Sequence, residues 1–216
     1  MTTNLIGSQE IKILYKINNS IITNIDVDSE LNYLISLNSN LSEINKDEVA
    51  EIAKESLIRE KIKFDEIKKF FLIEKYENKT YMDSVLKNIY SKLNLSDISE
   101  FEIYLKNFNL TIEDVREKIK IEILWNQLIS RKFQDQIIIN EDEIRQNVKK
   151  KKINYKEIIE YDLSEIVIAP QDEQELKKTI EKITETINSY GFETAANKFS
   201  ISDTAKLGGN IGKIKE

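Results

Sequence analysis

Apolar and polar residues alternate near the amino-terminal end in the way typical of short β-strands. Alternate positions from 11 to 17 are apolar, and the Asn18-Asn19 pair that follows can adopt the positive φ angles of a tight turn. Ile21 and Ile22 begin a second apolar stretch. The pattern therefore predicts a β-hairpin at the start of the chain.

Apolar residues then recur every three to four positions, which predicts about six helices in the first 156 residues. Residue types that accept hydrogen bonds from free helical amides mark five expected helix starts: Asn24, Asn45, Thr80, Thr111 and Asn140. A shorter helix is expected over the stretch DISEFEIYLKNFN. The helix that begins at Thr111 carries two apolar stripes, so we expect it to be central and packed on both sides.

The pattern changes after Lys156. The stretch YDLSEIVIAP alternates and is rich in β-branched residues, so it predicts a strand that ends at Pro170. A helix that stops at Gly191, a short helix over FETAANKFS and a second strand over NIGKI are expected to follow. The sequence therefore predicts two units, a helical domain with the hairpin over residues 1–156 and a smaller α+β unit over residues 157–216.

Composition supports a mainly α fold and narrows the chemistry. The 216 residues include only five glycines and one proline, too few for the frequent turns of a β-sandwich or barrel. Histidine and cysteine are absent, which removes histidine-based triads, disulfides and the usual zinc ligands. No metal and no other cofactor is expected.

Charge and hydropathy limit the partners. The net charge of −6 at pH 7 argues against nucleic acid, because binding to phosphates needs a basic face. The one dense basic run, Lys149 to Lys152, is better explained as a solvated helix end. No apolar run approaches the roughly 20 residues that span a bilayer, and the first ten residues lack the pattern of a signal peptide.

Two groups of residues are candidates for a site. Gly208, Gly209 and Gly212 lie close together, but a phosphate-binding loop would need a Lys-Ser or Lys-Thr pair after the second glycine, and none follows. These glycines therefore indicate a tight structural loop into a strand. Four large residues are candidates for binding a peptide: Trp125, Leu128, Tyr90 and Met82. Core packing is the ordinary role of such residues, and both roles are compatible where helices leave an open cleft.

The order of these elements resembles a known family. The stretch ILYKINNSIITNIDVDSEL is similar to the opening of the SurA-like periplasmic chaperones, where a strand, an Asn-containing turn, a second strand and an acidic helix start follow one another. LTIEDVREKIKIEILWNQLISRKF is similar to the long helix of that family, and IINEDEIRQNV to the helix after it. The resemblance covers roughly residues 11 to 216 and implies that the first unit is a chaperone domain.

The second unit resembles the first half of a parvulin-type peptidyl-prolyl isomerase module. LSEIVIAP is similar to its first strand, FETAANKFS to its short helix and GGNIG to the loop into its second strand. Glu165 stands where the family has a histidine, and Ser202, or its neighbour Asp203, stands where it has Asp or Cys. A second family histidine would lie beyond Glu216. The resemblance therefore implies an incomplete parvulin-like module with little or no isomerase activity.

The family resemblance implies a function and a location. Such a protein would be periplasmic, with its signal peptide cleaved or trimmed, and would bind unfolded outer-membrane proteins and aromatic-rich peptides and assist their assembly. Apolar helix surface left bare would also allow self-association. Two other functions stay open at this point. One is an active parvulin-type isomerase, and the other is a helical scaffold or a relative of membrane-anchored foldases.

Overall fold

A computed structural model describes residues 10–18, 20–76, 78–136, 142, 144–147 and 160–215. Its first elements are strand β1 (Ile13–Ile17) and strand β2 (Ser20–Thr23), which pair antiparallel. Asn18 has a φ of 50°, the left-handed conformation that the predicted turn requires. The predicted hairpin is therefore confirmed.

Helices make up most of the first unit. They are α1 (Asn24–Leu37), α2 (Lys46–Ile67), α3 (Lys79–Lys92), α4 (Ile98–Lys106) and α5 (Ile112–Phe133). Short 3-10 helices cover Ser39–Glu43, Ile73–Lys75 and Gln134–Gln136. Asp142 and residues 144–147 are also helical, whereas Asn140, the expected cap of the sixth helix, lies outside the described residues. The prediction of a mainly α fold is confirmed.

The observed cap of the first helix, Thr23, lies one residue before the predicted cap. The hydroxyl of Thr23 accepts a hydrogen bond from the amide of Asp26 at 3.2 Å, and the Asp26 carboxylate accepts one from the amide of Thr23 at 2.7 Å. This reciprocal pair satisfies two amides that the helix leaves free. Asn24, the predicted cap, instead accepts a hydrogen bond from the amide of Lys12 at 2.7 Å. The prediction of Asn24 as cap is wrong because the hairpin uses its side chain.

Two other caps follow the sequence and one does not. Thr111 and Asp114 form the same reciprocal pair at the start of α5, and Asn45 caps α2, as predicted. Helix α3 is capped by Asn78, whose side chain accepts a hydrogen bond from the amide of Tyr81 at 3.1 Å. Thr80, the predicted start, lies inside the first turn of α3.

Helix α5 is central, as its two stripes predict. Val115, Ile119 and Ile123 lie in the main core, which all five helices form together with β2. Leu124, on the neighbouring stripe, lies in a second apolar cluster between α5 and the end of α2. One helix therefore contributes to both apolar interiors of the first unit.

The second unit consists of strand β3 (Glu160–Ser164), helices α6 (Glu173–Tyr190) and α7 (Phe192–Phe199), a 3-10 helix over Asp203–Leu207 and strand β4 (Asn210–Lys215). Strands β3 and β4 pair antiparallel, with Tyr161 opposite Ile214. Gly191 separates the two helices with a φ of 86°, in agreement with the predicted stop.

Strand β3 is shorter than the sequence predicts. The register shifts between Leu163 and Ser164, and the chain then leaves the sheet. Val167 accepts a hydrogen bond from the amide of Ile201 at 2.7 Å and donates its own amide to the hydroxyl of Ser200 at 3.1 Å. The alternating stretch up to Pro170 therefore pairs with the segment after α7 and does not extend β3.

Candidate functional site

The ends of α2 and α5 form an apolar surface outside the main core. Ile67, Ile73 and Leu124 are its buried base, and several larger side chains pack on that base while remaining partly buried. Phe70 and Leu72 are 59% and 66% exposed. We use the name aromatic surface for Phe64, Phe70, Phe71, Leu72, Tyr76 and Trp125.

The turn after α2 explains why two large apolar residues point outward. The carbonyl of Ile67 accepts hydrogen bonds from the amides of Phe70 at 2.9 Å and of Phe71 at 3.0 Å, which folds the chain back on the helix end. From there exposure alternates, so that Phe71 and Ile73 face inward while Phe70 and Leu72 face outward. A contiguous apolar patch on a protein surface often marks a binding site.

Cations lie over three rings of the aromatic surface. Lys63 is 5.9 Å from the ring centroid of Trp125, Lys68 is 5.3 Å from that of Phe64, and Arg131 is 5.0 Å from that of Phe71. These distances are within the range in which a cation is attracted to a ring face. Lys63 and Lys68 are also paired with carboxylates, so within the described part of the chain Arg131 contributes the unpaired positive charge of this group.

A shallow groove adjoins the aromatic surface. It is lined by Tyr76, Asn78, Lys79, Met82, Asp83 and Arg116. Tyr76 belongs to both features, because it lines the groove and also packs on the second apolar cluster. Burial raises the pKa of the Tyr76 hydroxyl, so this group stays protonated at neutral pH and is able to donate a hydrogen bond.

The four candidates for peptide binding do not lie together. Trp125 is part of the aromatic surface, and Met82 lines the adjoining groove with 9% of its surface exposed. Tyr90 packs against the main core, where its ring centroid is 6.2 Å from that of Phe101. Leu128 is 6% exposed. Tyr76 therefore connects the surfaces of Trp125 and Met82, while Tyr90 and Leu128 serve packing.

In the second unit, Glu165 and Ser202, two of the candidate residues from the sequence, belong to a hydrogen-bonded cluster. One carboxylate oxygen of Glu165 accepts hydrogen bonds from the hydroxyls of Ser202 at 2.6 Å and Thr204 at 3.1 Å. The sequence did not single out Thr204. Asp203, the alternative to Ser202, turns away and pairs with Lys63 on α2. The carboxylate of Glu165 is thus an acceptor for two neighbours.

The glycine loop positions this cluster. Gly208 and Gly209 have φ angles of 66° and 78°, which non-glycine residues rarely adopt. A Cβ atom on Gly209 would lie 2.3 Å from the carbonyl oxygen of Glu165. The amide of Glu165 also donates a hydrogen bond to the carbonyl of Gly209 at 2.8 Å. The close approach holds Glu165 beside the start of β4. Gly212 has a φ of 93°, and no atom lies within 4 Å of the position that a Cβ would occupy there.

Buried charges join the second unit to the helices. We use the name buried charge cluster for Glu30, Glu60, Lys63, Lys118, Glu122, Asp203 and Lys206. Lys118 Nζ is 2.9 Å from Glu60 and also contacts Glu30, and Lys206 Nζ is 2.9 Å from Glu60. Lys63 Nζ is 2.7 Å from Glu122. Side chains of α1, α2, α5 and the last 3-10 helix therefore meet in one interior.

The charges in this cluster change their neighbours' proton affinities in different directions. Burial by itself would raise the pKa of Glu60, but the nearby Lys206 and Lys118 outweigh burial and lower that pKa to about 2. Burial raises the pKa of Glu122, and Lys63 and Lys206 offset that effect only in part. Burial opposes the charge of Lys118, yet Glu30 and Glu60 raise its pKa. Glu60 and Lys118 are therefore ionised at neutral pH.

Amide side chains form a second link between the units. Asn38 donates a hydrogen bond to the side-chain oxygen of Asn197 at 2.8 Å, and Asn197 donates to the carbonyl of Ala205 at 2.6 Å. Both asparagines are buried. The contacts between the units are thus rich in polar groups, which favours a specific orientation over nonspecific adhesion.

Sequence reasoning missed the buried charge cluster. Its signal is a charged residue at an apolar position of a helical stripe, since Glu30 follows Val27 by three positions and precedes Leu34 by four. Glu60 stands in the same relation to Leu57. A carboxylate in such a place needs a buried partner, but the partner Lys206 is too distant in the chain to be identified from spacing.

Within the described ranges, no group of three or more acidic side chains forms a candidate metal site. None of the helices described there is both long and apolar enough to cross a bilayer.

Comparison with known proteins gives one distant likeness. No protein-family model matches the sequence. Over 138 residues, the chain is 26% identical to the chaperone SurA of Hahella chejuensis. The aligned stretch covers 61% of this chain and 32% of that protein, so the chain corresponds to about a third of the length of this relative. The likeness is consistent with the SurA-like resemblance of the sequence and supports a distant relationship.

Proposed function

We propose that this chain is a chaperone domain that binds unfolded polypeptides on its aromatic surface. The observation that carries the proposal is the pair of exposed apolar side chains, Phe70 and Leu72, beside partly buried aromatic rings at the end of α2. An extended client needs a broad apolar surface more than a deep pocket. The likeness to a chaperone SurA supports the same function.

The proposal includes a cellular role. The clients are unfolded outer-membrane proteins in the periplasm, and the chain keeps them from aggregating before they assemble. Residues 1–156 form the client-binding unit, and residues 157–216 form a parvulin-like unit docked on it. The net charge of −6 supports this role, because it keeps the chaperone dispersed while apolar surface is exposed.

The test is suppression of aggregation. An unfolded porin-type outer-membrane protein is diluted from denaturant, and light scattering is followed with and without this chain. We expect suppression near equimolar ratio, and we expect the variant with Phe70→Ser and Leu72→Ser to suppress much less. Both side chains are exposed, so their replacement should leave the circular dichroism spectrum unchanged.

A matched control uses an exposed apolar residue elsewhere. Ile103 on α4 is 64% exposed, and Ile103→Ser should leave suppression as it is in the unaltered chain. If the control variant loses as much suppression of aggregation, then general surface hydropathy, and not the aromatic surface, suppresses aggregation. A folded, monodisperse sample that does not suppress aggregation at all would reject the proposed function.

The loop cluster supports a second candidate function, a parvulin-type peptidyl-prolyl isomerase. Glu165, Ser202 and Thr204 form a hydrogen-bonded group, and the family resemblance of the sequence aligns Glu165 and Ser202 with active positions of such isomerases. Glu165, when ionised, accepts hydrogen bonds but cannot donate one, so we expect weak or no catalysis. An isomerisation assay on a proline peptide decides this. A catalysed rate that Glu165→Ala abolishes would establish the enzyme.

A further inference from the structure

We infer that the aromatic surface selects client segments in which aromatic side chains are accompanied by acidic ones. The inference rests on the proposed function and adds the charge of the preferred client. It would distinguish this surface from a purely apolar one, which binds exposed chain segments irrespective of their charge.

The first support is the local charge. Residues 61–76 contain five lysines and three carboxylates, and residues 121–133 contain one arginine, one lysine and one carboxylate. Lys63 and Glu122 from these ranges belong to the buried charge cluster and neutralise each other there. The remaining groups carry a surplus of three positive charges on a chain whose net charge is −6. The chain segments that contribute the aromatic surface are thus more basic than the chain as a whole.

The second support is the placement of single cations. Lys68 pairs with Asp65 at 2.6 Å, and Lys69 pairs with Glu66, so these lysines are largely neutralised. Arg131 lies over the ring of Phe71 and forms no ion pair with any residue that the structure describes. Lys132, beside it in the last turn of α5, is exposed. Arg131 is thus a cation beside a ring of the aromatic surface, and Lys132 adds an exposed positive charge next to it in the chain.

The chemistry follows from this placement. An aromatic or aliphatic client side chain would pack on Phe70 and Leu72, and a neighbouring client carboxylate would pair with the guanidinium of Arg131. A guanidinium binds a carboxylate through two parallel hydrogen bonds, which adds geometry to the attraction. A basic client residue at the same place would be repelled by Arg131 and Lys132, so charge contributes selectivity.

The fluorescence of Trp125 can report binding to the aromatic surface. Trp125 is the single tryptophan of the chain and belongs to this surface. Two unstructured peptides without tryptophan serve as ligands. The two peptides have equal length and carry phenylalanine and leucine at the same positions. The acidic peptide has aspartate at the intervening positions, and the basic peptide has lysine there. We expect the acidic peptide to change Trp125 fluorescence at a concentration about tenfold or more below that of the basic peptide, and added salt to reduce the difference.

Charge reversal tests the residues. The variant with Arg131→Glu and Lys132→Glu should lose the preference for the acidic peptide or reverse it. The control is Lys177→Glu with Lys178→Glu, two exposed lysines on α6, which makes the same change in net charge at a distant place. That control should keep the preference. Since all four side chains are exposed, the variants should fold like the parent chain.

Several outcomes would overturn the inference. Equal binding of the two peptides would do so, as would a preference that survives reversal at residues 131 and 132. A dimer in sedimentation that the acidic peptide does not dissociate would mean that a second copy occupies the surface. If the chain suppresses aggregation but binds both peptides equally, only the inference fails. If it neither suppresses aggregation nor binds either peptide, the proposed function fails with it.

Discussion

The ammonium group of Lys206 lies 2.9 Å from the carboxylate of Glu60, although 146 positions separate the two residues in the chain. Each side chain is only 11% exposed. The pair therefore joins the last 3-10 helix to α2 through charges that water reaches poorly. A buried ion is stabilised mainly by its partners. Removal of one partner leaves a buried charge without compensation, which costs much free energy.

Replacement of Lys206 by methionine tests this relation. Lys206→Met keeps much of the side-chain volume but leaves Glu60 with Lys118 as its remaining close cation. We expect the free energy of unfolding to fall by about 3 to 5 kcal/mol, as for other broken buried pairs. Chemical denaturation followed by circular dichroism measures it.

The control is a surface pair in the same unit. Lys213 Nζ is 3.3 Å from Glu160, and the lysine side chain is 65% exposed. Lys213→Met should cost less than about 1 kcal/mol because solvent screens the pair. Similar losses in the free energy of unfolding for Lys206→Met and Lys213→Met would show that burial of Lys206 does not increase its contribution to stability.

The pH dependence of stability should depend on Glu60. Its pKa of about 2 in the folded chain is below the ordinary 4.5, so the unfolded chain binds the proton more tightly. The contribution of Glu60 to stability is therefore complete above pH 4.5 and is lost as the pH falls toward 2. The shift corresponds to roughly 3 kcal/mol. Glu122 acts in the opposite direction, because burial raises its pKa and its protonation favours the folded chain.

The variant Glu60→Gln should make the acid branch of the stability curve less steep. The free energy of unfolding is measured by urea titration at a series of pH values. Between pH 4.5 and 2, the parent chain should lose up to about 1.4 kcal/mol more per pH unit than Glu60→Gln does. Glu102→Gln, on the exposed side of α4, removes the same formal charge outside the cluster and serves as control. Parallel curves for Glu60→Gln and the parent chain would contradict the assignment.

The two glycines that flank the start of β4 should differ in their tolerance of alanine. Both have positive φ angles, so Gly212→Ala should cost about 1 kcal/mol from backbone strain alone. Gly209→Ala adds a Cβ atom that would lie 2.3 Å from the carbonyl oxygen of Glu165, and should cost several times more. Thermal unfolding compares the two variants. Equal midpoints would mean that the loop can move away from Glu165 without cost.

Two neighbouring polar residues at the start of α3 provide a local test. Asn78→Ala removes the side chain that caps the amide of Tyr81 and should destabilise the chain by about 1 kcal/mol. Thr80→Ala, inside the first turn, should be neutral or slightly stabilising, because alanine favours helix more than threonine does. Urea denaturation gives both values. A larger loss of stability for Thr80→Ala than for Asn78→Ala would support Thr80 as the helix start, as the sequence pattern predicted.

Local signals in the sequence were sufficient for the elements of the fold. Helix α5 began where Thr111 and Asp114 predicted it, and its two stripes packed into two interiors as their positions required. Two of the errors arose where a segment elsewhere in the chain bound the residues concerned. Asn24 binds the hairpin, and the stretch after Ser164 pairs with Ser200 and Ile201, which spacing along the chain does not reveal.

Sequence alone thus determined the main helices, the hairpin and the glycine loop, because caps, periodicity and positive φ act within a few residues of one another. Glu165 and Ser202 are 37 positions apart, and only the family resemblance pointed to both. Only the tertiary structure decided that Asp203 faces Lys63, that Lys206 pairs with Glu60, and that Phe70 and Leu72 remain exposed. These outcomes depend on contacts between residues far apart in the chain. Whether a charge is buried or a ring is covered is decided by the packing of whole helices, which no short stretch of sequence specifies.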